Sequence, residues 1–128
     1  MVQKKTNVWV SDRSGAAWVH VFHLYRGSWR KSSTYGSYVK GSIRSIAFYP
    51  KYVWGKRYRP LRLGYVVRGL LTQLKAPARF VDNTRCSFRK NAVVLLKKKE
   101  VFKSQTFYGP CVRLAKKKRY EALFNSFV

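Results

Sequence analysis

The sequence predicts a mainly β chain, a small barrel followed by a short helical segment. Two observations carry this. Short runs of β-branched and aromatic residues alternate with basic loops marked by Gly and Pro. Only near the C-terminus do apolar residues recur at three- and four-residue spacing, the period of a helix face. Several short strands with one late helix fit a small barrel better than a layered α/β fold.

The elements follow in order. Val8 and Val10 continue an alternation from Thr6, which predicts a first strand. The turn residues Ser11-Asp12-Arg13-Ser14-Gly15-Ala16 end it. Trp18 to Leu24 (WVHVFHL) predicts a second strand, and Tyr25 to Tyr35 a polar, basic loop containing Gly27. A third strand is predicted from Tyr38 to about Phe48, with Gly41 marking a bulge or bend. Tyr49 to Pro60 reads as another basic loop and Leu61 to Leu71 as a fourth strand. Lys75 to Lys90 is a loop region with room for a short hairpin. Asn91 to Leu96 (NAVVLL), an unbroken apolar run, predicts the fifth strand. Phe107-Tyr108-Gly109-Pro110 reads as a turn. From Lys117 the spacing of Tyr120, Leu123, Phe124 and Phe127 predicts a short amphipathic helix. The division is a single domain over 1–128, with the barrel in about 1–96 and a C-terminal loop and helix in about 97–128.

Charge sets the partner. The chain carries 28 Lys and Arg against 4 Asp and Glu, a formal net charge of +24 over 128 residues. Self-repulsion at that charge opposes a compact state, so a polyanionic partner is expected. Nucleic acid leads, because each cation that meets a phosphate releases a counterion. A secreted cationic membrane-active protein is the competing class. No apolar run reaches the length of a spanning helix, and MVQKKTNVWV runs into a strand-like alternation rather than a signal peptide. No membrane partner is therefore expected. Cys86 and Cys111 read as two reduced, partly buried thiols. With two scattered histidines they form no zinc signature.

Catalysis is not expected. His20 and His23 lie three apart in the second predicted strand, and an odd separation places them on opposite faces. There is no G-x-S-x-G elbow, and four acids leave little material for paired carboxylates or a metal site.

Six motifs, in order, resemble the universal large-subunit ribosomal protein L-fourteen family. They are Asp12-Arg13-Ser14-Gly15-Ala16, Arg26-Gly27-Ser28-Trp29-Arg30-Lys31, Tyr35-Gly36-Ser37, Tyr65-Val66-Val67-Arg68, Ser87-Phe88-Arg89-Lys90-Asn91-Ala92-Val93-Val94-Leu95-Leu96 and Phe107-Tyr108-Gly109-Pro110-Cys111. The resemblance spans nearly the whole chain. It implies a closed five-stranded barrel, a place in the large ribosomal subunit, contacts with large-subunit rRNA and neighbouring ribosomal proteins, and a face toward small-subunit rRNA. Ser37, Arg89 and Lys90 stand where relatives carry acids. This drift toward basic and aromatic residues points to a mitochondrial ribosome, with a plastid or the bacterial cytoplasm as alternatives. A free-standing OB-like barrel that binds single-stranded nucleic acid is the other functional reading.

The binding candidates are loop residues. In the Arg26-Gly27-Ser28-Trp29 loop, Arg30 and Lys31 suit phosphates and Trp29 offers a stacking face for an unpaired base. Folding of Trp29 back onto the core is the competing reading. Lys51, Lys56, Arg57 and Arg59 interleave with Tyr52, Trp54 and Tyr58, a pattern suited to irregular RNA. Lys4, Lys5 and Arg13 are further RNA contacts. The runs Lys97-Lys98-Lys99 and Lys117-Lys118-Arg119 add affinity with little sequence discrimination.

By resemblance, Lys103, Gln105, Thr106, Arg113 and Lys116 lie on the intersubunit face. Relatives bind there a silencing factor that blocks subunit joining. Thr106 stands in place of their Arg, so weak or altered docking of such a factor is expected. Asp12, with Ser14 and Gly15, is assigned to ordering its turn by accepting backbone N–H bonds. An Mg²⁺ shared with RNA is the alternative for Asp12. No protein-held cofactor or metal is expected, and any structural Mg²⁺ belongs mainly to the rRNA.

Overall fold

The computed structural model describes residues 1–27, 29–47, 61–97, 102–104, 106–113, 124 and 126–128. Among them are nine strands: β1 (Val2–Gln3), β2 (Asn7–Val10), β3 (Ala16–Leu24), β4 (Ser32–Ser33), β5 (Tyr38–Ile46), β6 (Val66–Gln73), β7 (Ala78–Arg79), β8 (Arg85–Cys86) and β9 (Ala92–Leu96). Five of these close a barrel in the order β2-β3-β5-β6-β9. Its neighbours are antiparallel except for β2 and β9, which pair in parallel and complete the ring.

Alternation fills the barrel. Val8 and Val10 of β2, Val19 and Val21 of β3, Val39 and Ile43 of β5, Val67 and Leu71 of β6, and Val93 and Leu95 of β9 form one core. β9 is apolar throughout because both its faces are covered. Val94 and Leu96, with Leu70 of β6, point outward beneath Phe102, Cys111 and Phe124. Phe124 stacks on Phe107, with centroids 4.8 Å apart, and meets Phe102 and Phe127 edge-on.

The structure adjusts several expectations. The fourth barrel strand is Val66–Gln73, not Leu61 to Leu71. Leu61 still reaches the core, but Arg62 to Tyr65 form a turn with Gly64 at φ 80°. The hairpin allowed within Lys75 to Lys90 is β7–β8. The β1–β4 pair had no sequence signal, since two-residue polar segments carry no period. Most of the predicted C-terminal helix lies outside the described residues. Phe124 and the residues at 126–128 are not helical, and Phe127 bridges Cys111 in parallel. Their aromatic spacing reflects rings laid on the barrel wall. Cys86 is half-buried and Cys111 buried, and no disulfide joins them.

Gly41 sits where two strands come closest. A Cβ there would lie 2.5 Å from both the His20 carbonyl oxygen and Val19 Cγ1. The predicted irregularity is real, but the register shift falls on the facing strand, between Val21 and His23. That bulge overturns the argument from odd spacing, because Phe22 and His23 are both exposed. The two imidazoles nevertheless have separate partners. His20 Nδ1 lies 2.9 Å from Asn7 Oδ1, and the His23 ring meets Tyr25 edge-on.

Candidate RNA-binding surface

Asp12 organises the end of the barrel where β2 turns into β3 and the C-terminal arm arrives. It is 3% exposed. Its Oδ1 accepts the Ser14 N–H at 2.8 Å, the expected turn, with Gly15 at φ 98°. Its Oδ2 accepts the Leu95 N–H at 2.6 Å, across 83 residues. Around it the chain pairs with the 106–108 segment: Arg13 N–H donates to the Thr106 carbonyl at 3.1 Å and Tyr108 N–H to the Ser11 carbonyl at 2.7 Å. Asp12 is thus a clasp between the first turn, the last barrel strand and the C-terminal arm. Burial raises its carboxyl above the usual range, while the N–H bonds from Leu95 and Ser14 and the nearby Lys103 ammonium pull the other way.

The Trp29 loop is held out from the barrel. Arg26 (φ 77°) and Gly27 (φ 104°) are consecutive left-handed residues that turn the chain at the end of β3. Arg30 Nε donates to the Ser32 carbonyl at 2.8 Å, and β4 then pairs with β1. This pairing brings the N-terminal strand beside the loop. Gln3, Lys4, Trp29, Arg30 and Lys31 line one shallow hollow. Trp29 is 95% exposed, so it is not folded onto the core. An indole face with three cations beside it can stack on an unpaired base while the cations meet its phosphates.

Other candidates fall elsewhere. Lys5 and Arg26 are exposed near the same edge, and Lys5 donates its N–H to Val21. Arg13 is exposed beside Thr106 rather than beside Trp29. Lys103 and Arg113, grouped by the sequence reading, line different hollows: Lys103 one with Lys40, Arg68 and Lys97, and Arg113 one with Phe80, Val81 and Phe127. Lys51, Lys56, Arg57, Arg59, Lys98, Lys99, Gln105, Lys116, Lys117, Lys118 and Arg119 lie outside the described residues, as do Ser28, Tyr52, Trp54 and Tyr58.

Sequence reasoning missed Lys40 and Arg68, which sit mid-strand. Their signal was the outward phase of β5 and β6, opposite the core valines. Among the described residues there is no cluster of three or more His, Cys, Asp or Glu side chains able to hold a metal ion. Among the described residues no helix is long and apolar enough to cross a membrane.

Comparison with known proteins agrees with this architecture. The chain is 31% identical over 124 residues to the large ribosomal subunit protein uL14m of Tetrahymena pyriformis, covering 97% of each chain. It is 33% identical over 133 residues to the protein of the same name from Nyctotherus ovalis, covering 98% of each. The family described as ribosomal protein L14p/L23e matches residues 1–126. Collinear from the first strand to the C-terminal arm, the chain belongs to the ribosomal protein L14p/L23e family.

Proposed function

We infer that the chain is a non-catalytic, structural constituent of the large subunit of a mitochondrial ribosome, where it binds and stabilises rRNA. Family membership over nearly the whole chain and the mitochondrial naming of its relatives support the setting. The observation that carries the mode of binding is the exposed Trp29 beside Lys4, Arg30 and Lys31. The barrel is the rigid scaffold. Its loops carry the contacts, and neighbouring ribosomal proteins cover part of the remaining surface.

The expected result for Trp29→Ala is weaker RNA binding with unchanged stability. Stacking on one base is worth about 1–3 kcal/mol, whereas a single lysine such as Lys97 is easily replaced by its neighbours. Filter binding to an rRNA fragment, with a denaturation curve as control, reads both. An affinity unaltered in Trp29→Ala contradicts the stacking role.

The same reading assigns the exposed Thr106, Tyr108, Gly109 and Arg113 to the side that meets the small subunit. Arg113→Glu is then expected to leave the protein in its own subunit and to weaken subunit joining at low magnesium. Normal joining would remove Arg113 from that contact. Thr106 offers a short hydroxyl where a long donor would grip a carboxylate or phosphate, so a silencing factor docks weakly here.

A further inference from the structure

The turn Phe107-Tyr108-Gly109-Pro110 is tied to the rest of the chain along two limbs, and main-chain bonds secure each of them. On the first limb, Arg13 N–H donates to the Thr106 carbonyl, Asp12 bridges Phe107, and Tyr108 N–H donates to the Ser11 carbonyl at 2.7 Å. On the second, Cys111 N–H donates to the Ser126 carbonyl, and the Cys111 carbonyl accepts the Val128 N–H. Between the two stands Pro110, which has no N–H and cannot carry a ladder across the turn.

A barrel side chain bridges that gap. Gln73 is the last residue of β6, just past the register shift between Leu71 and Gln73. It is half-buried, and its Nε2 donates to the Pro110 carbonyl at 2.8 Å. Only the NH₂ end of the amide can serve a carbonyl, so this partner fixes which way the amide points. The same nitrogen faces Gly109, where a Cβ would stand 2.8 Å from it, and Gly109 has φ 80°. A side chain at 109 is refused both by the backbone angle and by Gln73. The turn thus rests against Gln73 and shows Thr106, Tyr108 and Gly109 to solvent. Phe107 goes the other way and stacks on Phe124.

We propose that Gln73 is the positioning residue of this turn: its amide sets the height and angle at which Tyr108 meets the small subunit, without touching that subunit itself. The inference rests on the reading above that this face meets the small subunit. It adds that joining depends on a β6 residue that the face does not contain.

Gln73→Met, which keeps the length and bulk and removes the donor, tests it in two steps. In the ¹⁵N-labelled full chain at raised salt, amide signals besides those next to residue 73 are expected to move at Tyr108, Gly109 and Cys111 and to hold along β2, β3, β5 and β9. Large subunits carrying Gln73→Met should then incorporate the chain fully yet bind small subunits at low magnesium roughly three- to tenfold more weakly, the size of one lost hydrogen bond. Gln73→Glu, which turns an acceptor toward the Pro110 carbonyl, should join more weakly still. Signals at the turn that stay in place, or shifts spread through the barrel strands, would reduce Gln73 to no role or to a merely structural one. The double variant Tyr108→Asp/Arg113→Glu serves as control, because it alters the presented surface and leaves Gln73 alone. If it joins poorly while Gln73→Met moves the turn and joins normally, the positioning role is wrong. If both join normally, the subunit-facing reading fails, and the positioning role fails with it.

Discussion

Asp12→Ala is expected to lower folding stability by about 2–4 kcal/mol, because each buried donor left without an acceptor costs roughly 1–3 kcal/mol. Two N–H groups lose their acceptor, those of Ser14 and Leu95. Read as a local turn alone, Asp12 predicts only about 0.5–1.5 kcal/mol. The difference is the Leu95 bond, which ties the first turn to the last barrel strand. Asp12→Asn should fall between, since an amide keeps one acceptor but presents a donor to the second N–H.

The pH dependence has a definite sign. Burial raises the folded-state carboxyl of Asp12 above its unfolded value. Folding therefore takes up a proton between the two values, and this group's contribution falls as pH rises through that window. Asp82, whose carboxyl is lowered by its bonds from Thr84, has the opposite slope. It is present in both proteins and cancels from the difference. Denaturant unfolding of wild type and Asp12→Ala at raised salt, across the acid range, measures both effects. A loss under about 1 kcal/mol would mean that the clasp does not hold the barrel.

Gly41→Val is expected to abolish the closed barrel, and Gly41→Ala to cost about 1–3 kcal/mol through overpacking. The obstruction is the His20 carbonyl and the Val19 side chain, each 2.5 Å from where a Cβ would stand. The carbonyl belongs to the β3 backbone, paired along much of its length with β5. It cannot move without breaking that wall. Amide hydrogen exchange along β3 and β5 reports the outcome directly. Wild-type protection in the Val variant would show that the two strands do not approach as described.

Local pattern was enough for the barrel. The runs at Trp18 to Leu24 and at Asn91 to Leu96 are strands because β-branched and aromatic residues crowd one core, and both appear in the structure nearly as read. The Asp12 turn was also legible, since a short acid before Ser-Gly has few uses, and so was the outward placement of Trp29 in its basic loop. What was lost is long-range. The Leu95 partner of Asp12, the pairing of Val2 with Ser33, and the Lys40–Arg68 neighbours depend on register between distant strands. The bulge at Val21–His23 reversed the expected phase of His23 without a local signal. Three- and four-residue aromatic spacing served a different end at Phe124 and Phe127, where the rings pack on one another and on the arm.

The most direct test of the RNA-binding role is ultraviolet cross-linking of large subunits purified from mitochondria, with mass spectrometry of the peptides joined to nucleotides. The account predicts that this chain sediments with the large particle and that the peptide containing Trp29 carries an rRNA nucleotide. A chain absent from the particle, or a Trp29 peptide recovered free of RNA while other parts of the chain are cross-linked, would contradict it.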